Sequence, residues 1–223
     1  MSLWGRVFAA LYDPMMASTE KAGLADQRRR LLEQAHGRVL EIGGGTGLNL
    51  PYYSEEVDEL LLVEPEEPMA RRLEQKLAAG DLPARVVRSP AERLPFEDDS
   101  FDFVVSTLVL CTVEDQARAL AEIRRVLKPS GRLLFLEHVR SEDPKLARWQ
   151  DRLNWLNRRV GHGCNCNRET LSGIERAGFG IEDVRHDRLP KAPPIVRPLV
   201  AGVATRATGD AAGFEPPSQT ARF

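Results

Sequence analysis

An α/β fold, a largely parallel sheet covered by helices on both faces, is the class this sequence predicts, on three observations. From Arg38 onward, short Val/Leu/Ile/Phe runs alternate with helix-length stretches. The runs are continuously apolar, as strands buried on both faces must be. The first run also empties directly into a glycine-rich loop that opens toward a helical stretch. Such a loop lets backbone approach a ligand at the edge of a sheet.

The elements follow in order. Leu3, Trp4, Val7, Phe8 and Leu11 fall at helical spacing and predict a short amphipathic helix. Its polar face is not Lys-rich, so packing on its own domain is expected, with contact to a bilayer surface as the alternative. Strand runs are expected at 38–42, 59–64, 84–89, 101–107 and 132–138. Helices are expected between them at Gly47–Tyr53, Pro68–Ala79 and Gln116–Leu127, the last stopped by Pro129 and Gly131. Two more helices follow, Leu146–Arg159 and Arg168–Ala177, the second with Asn167 as its N-cap. Runs at 180–187 and 198–206, joined by the Pro-rich stretch Pro190–Pro198, complete seven strands. Residues 1–24 form an N-terminal segment and 25–206 one domain, and the Gly/Pro/Ser-rich 207–223 is expected to be a disordered tail.

Composition narrows the partners. The chain has 223 residues, enough for one domain that needs no disulfide or metal to fold. With 31 Lys and Arg against 33 Asp and Glu, the net charge of −2 offers no general attraction to a phosphate backbone, and no nucleic-acid partner is expected. Three cysteines do not make a secreted disulfide framework, so a cytoplasmic setting is expected. No apolar run reaches the roughly 18 residues of a membrane-spanning helix. Arg28-Arg29-Arg30, Arg124-Arg125 and Arg158-Arg159 each predict a solvated helix face.

The glycine loop discriminates among cofactors. Glu41-Ile42-Gly43-Gly44-Gly45-Thr46-Gly47 follows the first strand. A dinucleotide fingerprint would place its third glycine where Leu48 or Leu50 stands, and a nucleotide-phosphate loop would need a following Gly-Lys-Ser/Thr. Neither is met. Glu64, about 20 residues on at the end of the second strand, is placed to accept from ribose hydroxyls.

Together with Ala91-Glu92-Arg93-Leu94-Pro95-Phe96, Asp102-Phe103-Val104-Val105-Ser106 and Leu127-Lys128-Pro129-Ser130-Gly131, these strings resemble the class I S-adenosylmethionine-dependent methyltransferases. The resemblance implies a Rossmann-like, doubly wound seven-stranded sheet, mostly parallel with an antiparallel last strand. It implies S-adenosyl-L-methionine as cofactor and a small-molecule methyl acceptor as partner. It places Gly43, Gly45 and Gly47 at the methionine part, Glu41 behind the loop or at the amino group, and Glu64 with Pro65 at the ribose. Ala91 and Glu92 would lie at the adenine, and Thr107 and Leu108 would face the transferable methyl. Tyr12 would close over the site, making residues 1–24 a lid.

Three further strings, Ser106–Val113, Phe135–Val139 and Gly163–Glu169, resemble the methyltransferase-like proteins linked to alkyl-thiol S-methylation. Those relatives carry an N-terminal membrane segment, where this chain has only the short helix at 3–11. Quinone and phospholipid methyltransferases of the same fold are the alternative, and a cofactor-binding regulatory or assembly protein is the non-enzyme one. Among candidate groups, His138 ends the fifth strand and is the expected general base, ahead of Asp13 and Glu137. Cys111 is expected to line the acceptor pocket as a small apolar residue, beneath a loop that turns Asn165 and Arg168 toward the substrate. Cys164-Asn165-Cys166 lacks the second ligand pair of a structural zinc, so no metal is expected.

Overall fold

The computed structural model describes residues 3–80 and 82–207, with side chains from Gly5 onward. Of the expected tail, all but Ala207 lies outside the described residues. The seven strands are β1 (Gly37–Ile42), β2 (Val57–Val63), β3 (Ala84–Val87), β4 (Phe101–Thr107), β5 (Leu127–His138), β6 (Phe179–Arg188) and β7 (Pro198–Arg206). They form one sheet in the order β3-β2-β1-β4-β5-β7-β6. The pairs from β3 to β5 are parallel, and β7 pairs antiparallel with both β5 and β6. The expected sheet is the observed one. Its chain order reverses between β1 and β4, the crevice where open α/β sheets bind ligands.

The helices are α1 (Leu3–Thr19), α2 (Ala25–Leu32), α3 (Glu67–Leu77), α4 (Gln116–Val126), α5 (Pro144–Val160) and α6 (Thr170–Arg176). Because strand side chains alternate, the sheet builds two cores. Leu40, Leu61, Val104 and Phe135 face Leu120 and Ile123 of α4 and Ile174 of α6. Val39, Leu60, Phe103 and Leu134 face Leu31 and Leu32 of α2 and Leu73 of α3. Fully burying each large aliphatic side chain contributes roughly 1.5–3 kcal/mol.

Several local expectations change. The first helix runs to Thr19, straight through Pro14, well beyond residue 11. The expected helix at 47–53 is only a single tight turn, Leu50–Tyr52, because Asn49 and Tyr53 turn their side chains back onto Glu41. The stop at Pro129–Gly131 is absorbed into β5 as a register shift, with Phe101 opposite Leu127 and Phe103 opposite Arg132. Asn167 does not cap α6, which starts at Thr170; its amide donates to Asp151 instead.

Candidate active site

β1 delivers Glu41 and the glycine loop to the sheet edge. Gly43 and Gly45 both hold positive φ, 61° and 55°. A side chain on Gly43 would overlap the Val109 methyls, whereas a Cβ on Gly45 would meet nothing nearer than the Gly43 carbonyl oxygen at 3.8 Å. The first glycine therefore permits packing, and the second leaves a cradle of exposed backbone. Opposite it, Glu64 at the end of β2 accepts from the Gly45 N–H at 2.8 Å and the Glu66 N–H at 2.8 Å. Burial pushes the Glu64 carboxyl above its ordinary pKa, and these two backbone donors pull it back.

Behind the loop lies a buried polar web. Glu41 accepts from Tyr53 Oη at 2.6 Å and Asn49 Nδ2 at 3.0 Å. Its pKa is pushed up to about 7, chiefly by burial. Asn49 Nδ2 also donates to Thr107 Oγ1 at 2.9 Å, at the end of β4. Arg28 of α2 completes the web, donating to Asn49 Oδ1 at 2.8 Å, Thr107 Oγ1 at 3.2 Å and Glu20 Oε1 at 3.1 Å. Of the Arg28–Arg30 run, Arg29 and Arg30 are the solvated face expected, but Arg28 is only 3% exposed. The triplet carries no sign of this, because the acceptors that make burial tolerable lie on other elements.

The chain after β4 is organised by Glu137, a fully buried residue of β5. Its carboxylate accepts from Ser106 Oγ and from the backbone N–H groups of Val109, Leu110 and Cys111. Three of these donors fall on Oε1 and one on Oε2, so the Glu137 carboxylate is engaged in shaping the loop. The loop it shapes holds Leu108 at φ 60°, a left-handed conformation unusual for leucine and of the kind found at functional sites. Asp13 is likewise committed, to Thr46 Oγ1 and Lys76 Nζ, and it clasps α1 onto the glycine loop. Tyr12 of α1 is half-buried, and desolvation of its hydroxyl pushes its pKa to about 12. Phe8 stacks on His162 with ring centroids 4.7 Å apart, so α1 also packs against the loop between α5 and α6.

At that end Cys111, His138 and Cys164 converge, all buried. His138 Nδ1 is 3.7 Å from Cys111 Sγ and 3.5 Å from Cys164 Sγ, while its Nε2 is buried without a hydrogen-bond partner. The Cys164 thiol is held well below its ordinary pKa, first by its hydrogen bond with Cys111 and then by His138, against burial. Cys111 is thus one member of a polar cluster, more than the apolar lining residue expected. Asn165 donates its backbone N–H and its amide to the Cys111 carbonyl, stapling the loop over the site. Arg168 Nη1 donates to the carbonyls of Leu110 and Val113, tying the loop to the chain after β4. Ala91 is buried, Pro65 is exposed, and Glu92 accepts from the Glu114 and Asp115 N–H groups.

Residues 40–135 match the methyltransferase domain model. The chain is 30% identical over 203 residues to human thiol S-methyltransferase TMT1A, covering 89% of this chain and 83% of that one. This chain belongs to the class I S-adenosylmethionine-dependent methyltransferase family. A bacterial relative, phosphatidylethanolamine N-methyltransferase of Cereibacter sphaeroides, is 35% identical over 127 residues, 53% of this chain and 63% of that one. Among solved structures, an S-adenosylmethionine-dependent methyltransferase from Thermotoga maritima superposes with a TM-score of 0.67 at 25% identity, covering 90% of this chain and 97% of that one. The residues of the methyltransferase site fit the cofactor. The space above Gly45 would take the methionine part, and each Glu64 oxygen, already holding one backbone N–H, keeps a further acceptor direction for a ribose hydroxyl. Sequence reasoning missed Arg28, Asn49 and Tyr53, the polar support behind Glu41. The available signal was Glu41 itself, a carboxylate inside an apolar strand, which has to be satisfied from somewhere.

Proposed function

We propose that this methyltransferase methylates the sulfur of a small-molecule thiol. The similarity to the human thiol S-methyltransferase carries this reading. It spans 89% of the chain, so it takes in the acceptor-side segments from Cys111 to Cys164. The similarity to the phosphatidylethanolamine enzyme covers 53% of the chain.

Bound S-adenosylmethionine supplies an activated methyl on a sulfonium, and the protein supplies alignment and exclusion of water. Gly43, Gly45 and Gly47 bind the methionine part, with Glu41 behind them. Glu64 beside Pro65 binds the ribose, and Ala91 and Glu92 border the adenine. Thr107 and Leu108 bring the end of β4 against the methyl. Tyr12, Cys111 and Asn165 bound the acceptor, with α1 as lid. A free thiol is only a few per cent thiolate at pH 7, so activation is needed, and His138 with its two neighbouring thiols is the group we assign to it. A cytoplasmic setting fits three free thiols. Among the described residues no helix is long and apolar enough to cross a membrane, but exposed Val7, Leu11 and Met15 on α1 suit peripheral contact with a bilayer. No nucleic-acid partner is part of this reading.

The test is product analysis by mass spectrometry after incubation with S-adenosylmethionine and, separately, alkyl thiols, a quinol and phosphatidylethanolamine. A methyl thioether from the thiols alone is expected. Methylation confined to the quinol or the lipid would replace the acceptor. His138→Ala should lose turnover across pH 6–9, and wild-type turnover there would remove His138 from the chemistry.

A further inference from the structure

The three groups at the acceptor end come from separate parts of the fold: the loop after β4, the last residue of β5, and the loop between α5 and α6. Cys111 Sγ and Cys164 Sγ are 3.7 Å apart, and His138 Nδ1 is 3.7 Å and 3.5 Å from them. A tetrahedral zinc with Zn–S of about 2.3 Å and Zn–N of about 2.0–2.1 Å sets sulfur ligands about 3.8 Å apart and sulfur–nitrogen pairs about 3.5 Å apart. The observed triangle matches one face of that tetrahedron within about 0.2 Å. Each corner is held by backbone. Cys111 N donates to Glu137, the Cys164 carbonyl accepts from Asn157, and the His138 carbonyl accepts from Thr170.

We propose that Cys111, His138 and Cys164 bind a thiophilic divalent cation, zinc by preference, whose fourth position is open to the sulfur of the methyl acceptor. Structural zinc sites close with four protein ligands, whereas catalytic ones keep three and an open position. Among the described residues this cluster offers three. Two thiolates balance the charge of a divalent ion, which is what a buried site needs. With Nδ1 on the metal, the unpartnered Nε2 carries the imidazole proton. The cluster of His138 and the two thiols acts on the acceptor through the ion they hold, which acidifies it. The acceptor thiol loses its proton to solvent. Its sulfur–carbon bond then forms as the cofactor's sulfonium–methyl bond breaks, leaving a methyl thioether and S-adenosylhomocysteine with no change of oxidation state. The open-position role rests on the thiol reading above; the cation site does not. Sequence spacing concealed it, because Cys166, the nearer partner of Cys164, points instead to Asn154 Oδ1 at 3.8 Å.

Cobalt(II) substitution tests both parts on the full chain, reduced and stripped with a chelator. Wild type should take up one equivalent, with a thiolate charge-transfer band and strong tetrahedral visible bands, reversed by zinc. Cys111→Ser, Cys164→Ser and His138→Ala should each lose them while still binding S-adenosylhomocysteine, which shows that they are folded. Cys166→Ser should keep them. Should one variant fail to fold, the other two decide. No bands in wild type, or bands that survive both serine variants, would overturn the site. Adding 2-mercaptoethanol to the cobalt protein should shift the charge-transfer band, and an unchanged spectrum would overturn the open position. Undiminished thiol methylation by the chelated enzyme would overturn the metal's part and leave the thiol reading standing. An intact cobalt site with no thiol methylated would do the reverse.

Discussion

Arg28 Nη1 lies 3.2 Å from Thr107 Oγ1, so a side chain of α2 reaches the end of β4. The same nitrogen is 2.8 Å from Asn49 Oδ1, and Arg28 Nε is 3.1 Å from Glu20. One cation thus braces the N-terminal helices, the turn after the glycine loop and the end of β4. Removing one partner of a buried ion pair costs about 3–5 kcal/mol, because the other is left uncompensated. Arg28→Met should lower unfolding stability by about that much in urea titration, whereas Arg29→Ala should stay within about 0.5 kcal/mol. Equal effects would make Arg28 an ordinary surface residue.

Glu64 bridges the glycine loop and the turn after β2 through two carboxylate oxygens. Glu64→Gln preserves shape but puts an NH2 where an acceptor is required. Hydrogen bonds to a charged group contribute about 1.5–3 kcal/mol. S-adenosylhomocysteine affinity should therefore fall about 10- to 100-fold by calorimetry. Unchanged affinity would remove Glu64 from the cofactor.

Glu41 gives the fold a pH dependence of defined sign. Its ordinary pKa of 4.5 is raised to about 7 by burial. Between those values the folded chain retains a proton that the unfolded chain has released, so stability falls as pH rises through the interval and then levels off. A difference of this size corresponds to at most roughly 3 kcal/mol. Glu64 and Glu137, also raised by burial, tilt the profile the same way. Subtracting the stability profile of Glu41→Gln from that of wild type, measured from pH 4.5 to 8, isolates the Glu41 part. A difference flat in pH would contradict the assignment.

Gly43 and Val109 are predicted to be coupled. Gly43→Ala adds a methyl against the Val109 side chain, and overpacking of this kind costs about 1–3 kcal/mol. The φ of 61° adds about 1–2 kcal/mol that packing cannot relieve. In a double-mutant cycle, Val109→Ala should recover the first cost and leave the second. Simple additivity would show that the two do not touch.

Much of the fold was legible because it is written in short-range patterns. The apolar runs of β1, β2, β4 and β5, the turn chemistry between them and the glycine loop each lie within a few residues, where side-chain periodicity and backbone freedom act directly. The helix expected at 47–53 was misplaced for the opposite reason. Asn49 and Tyr53 satisfy a buried carboxylate, a demand set by β1 and invisible in their own segment. Glu137 was similar: a strand-end acid suggests chemistry until the three N–H groups of the next loop are seen to engage it.

The chain by itself determined the number of strands, their alternation with helices and the position of the glycine loop directly after β1. Tertiary structure alone decided which arginine of three is buried, and that Cys111, His138 and Cys164 meet. The burial of Arg28 depends on acceptors from Glu20, Asn49 and Thr107. The meeting of the cysteines and His138 depends on pairing β4 with β5 and folding the 161–169 loop across both, which joins groups separated by 26 to 53 residues. Local pattern specifies elements, but proximity at such separations is set only when the sheet closes its order and packing selects which polar groups are left facing one another.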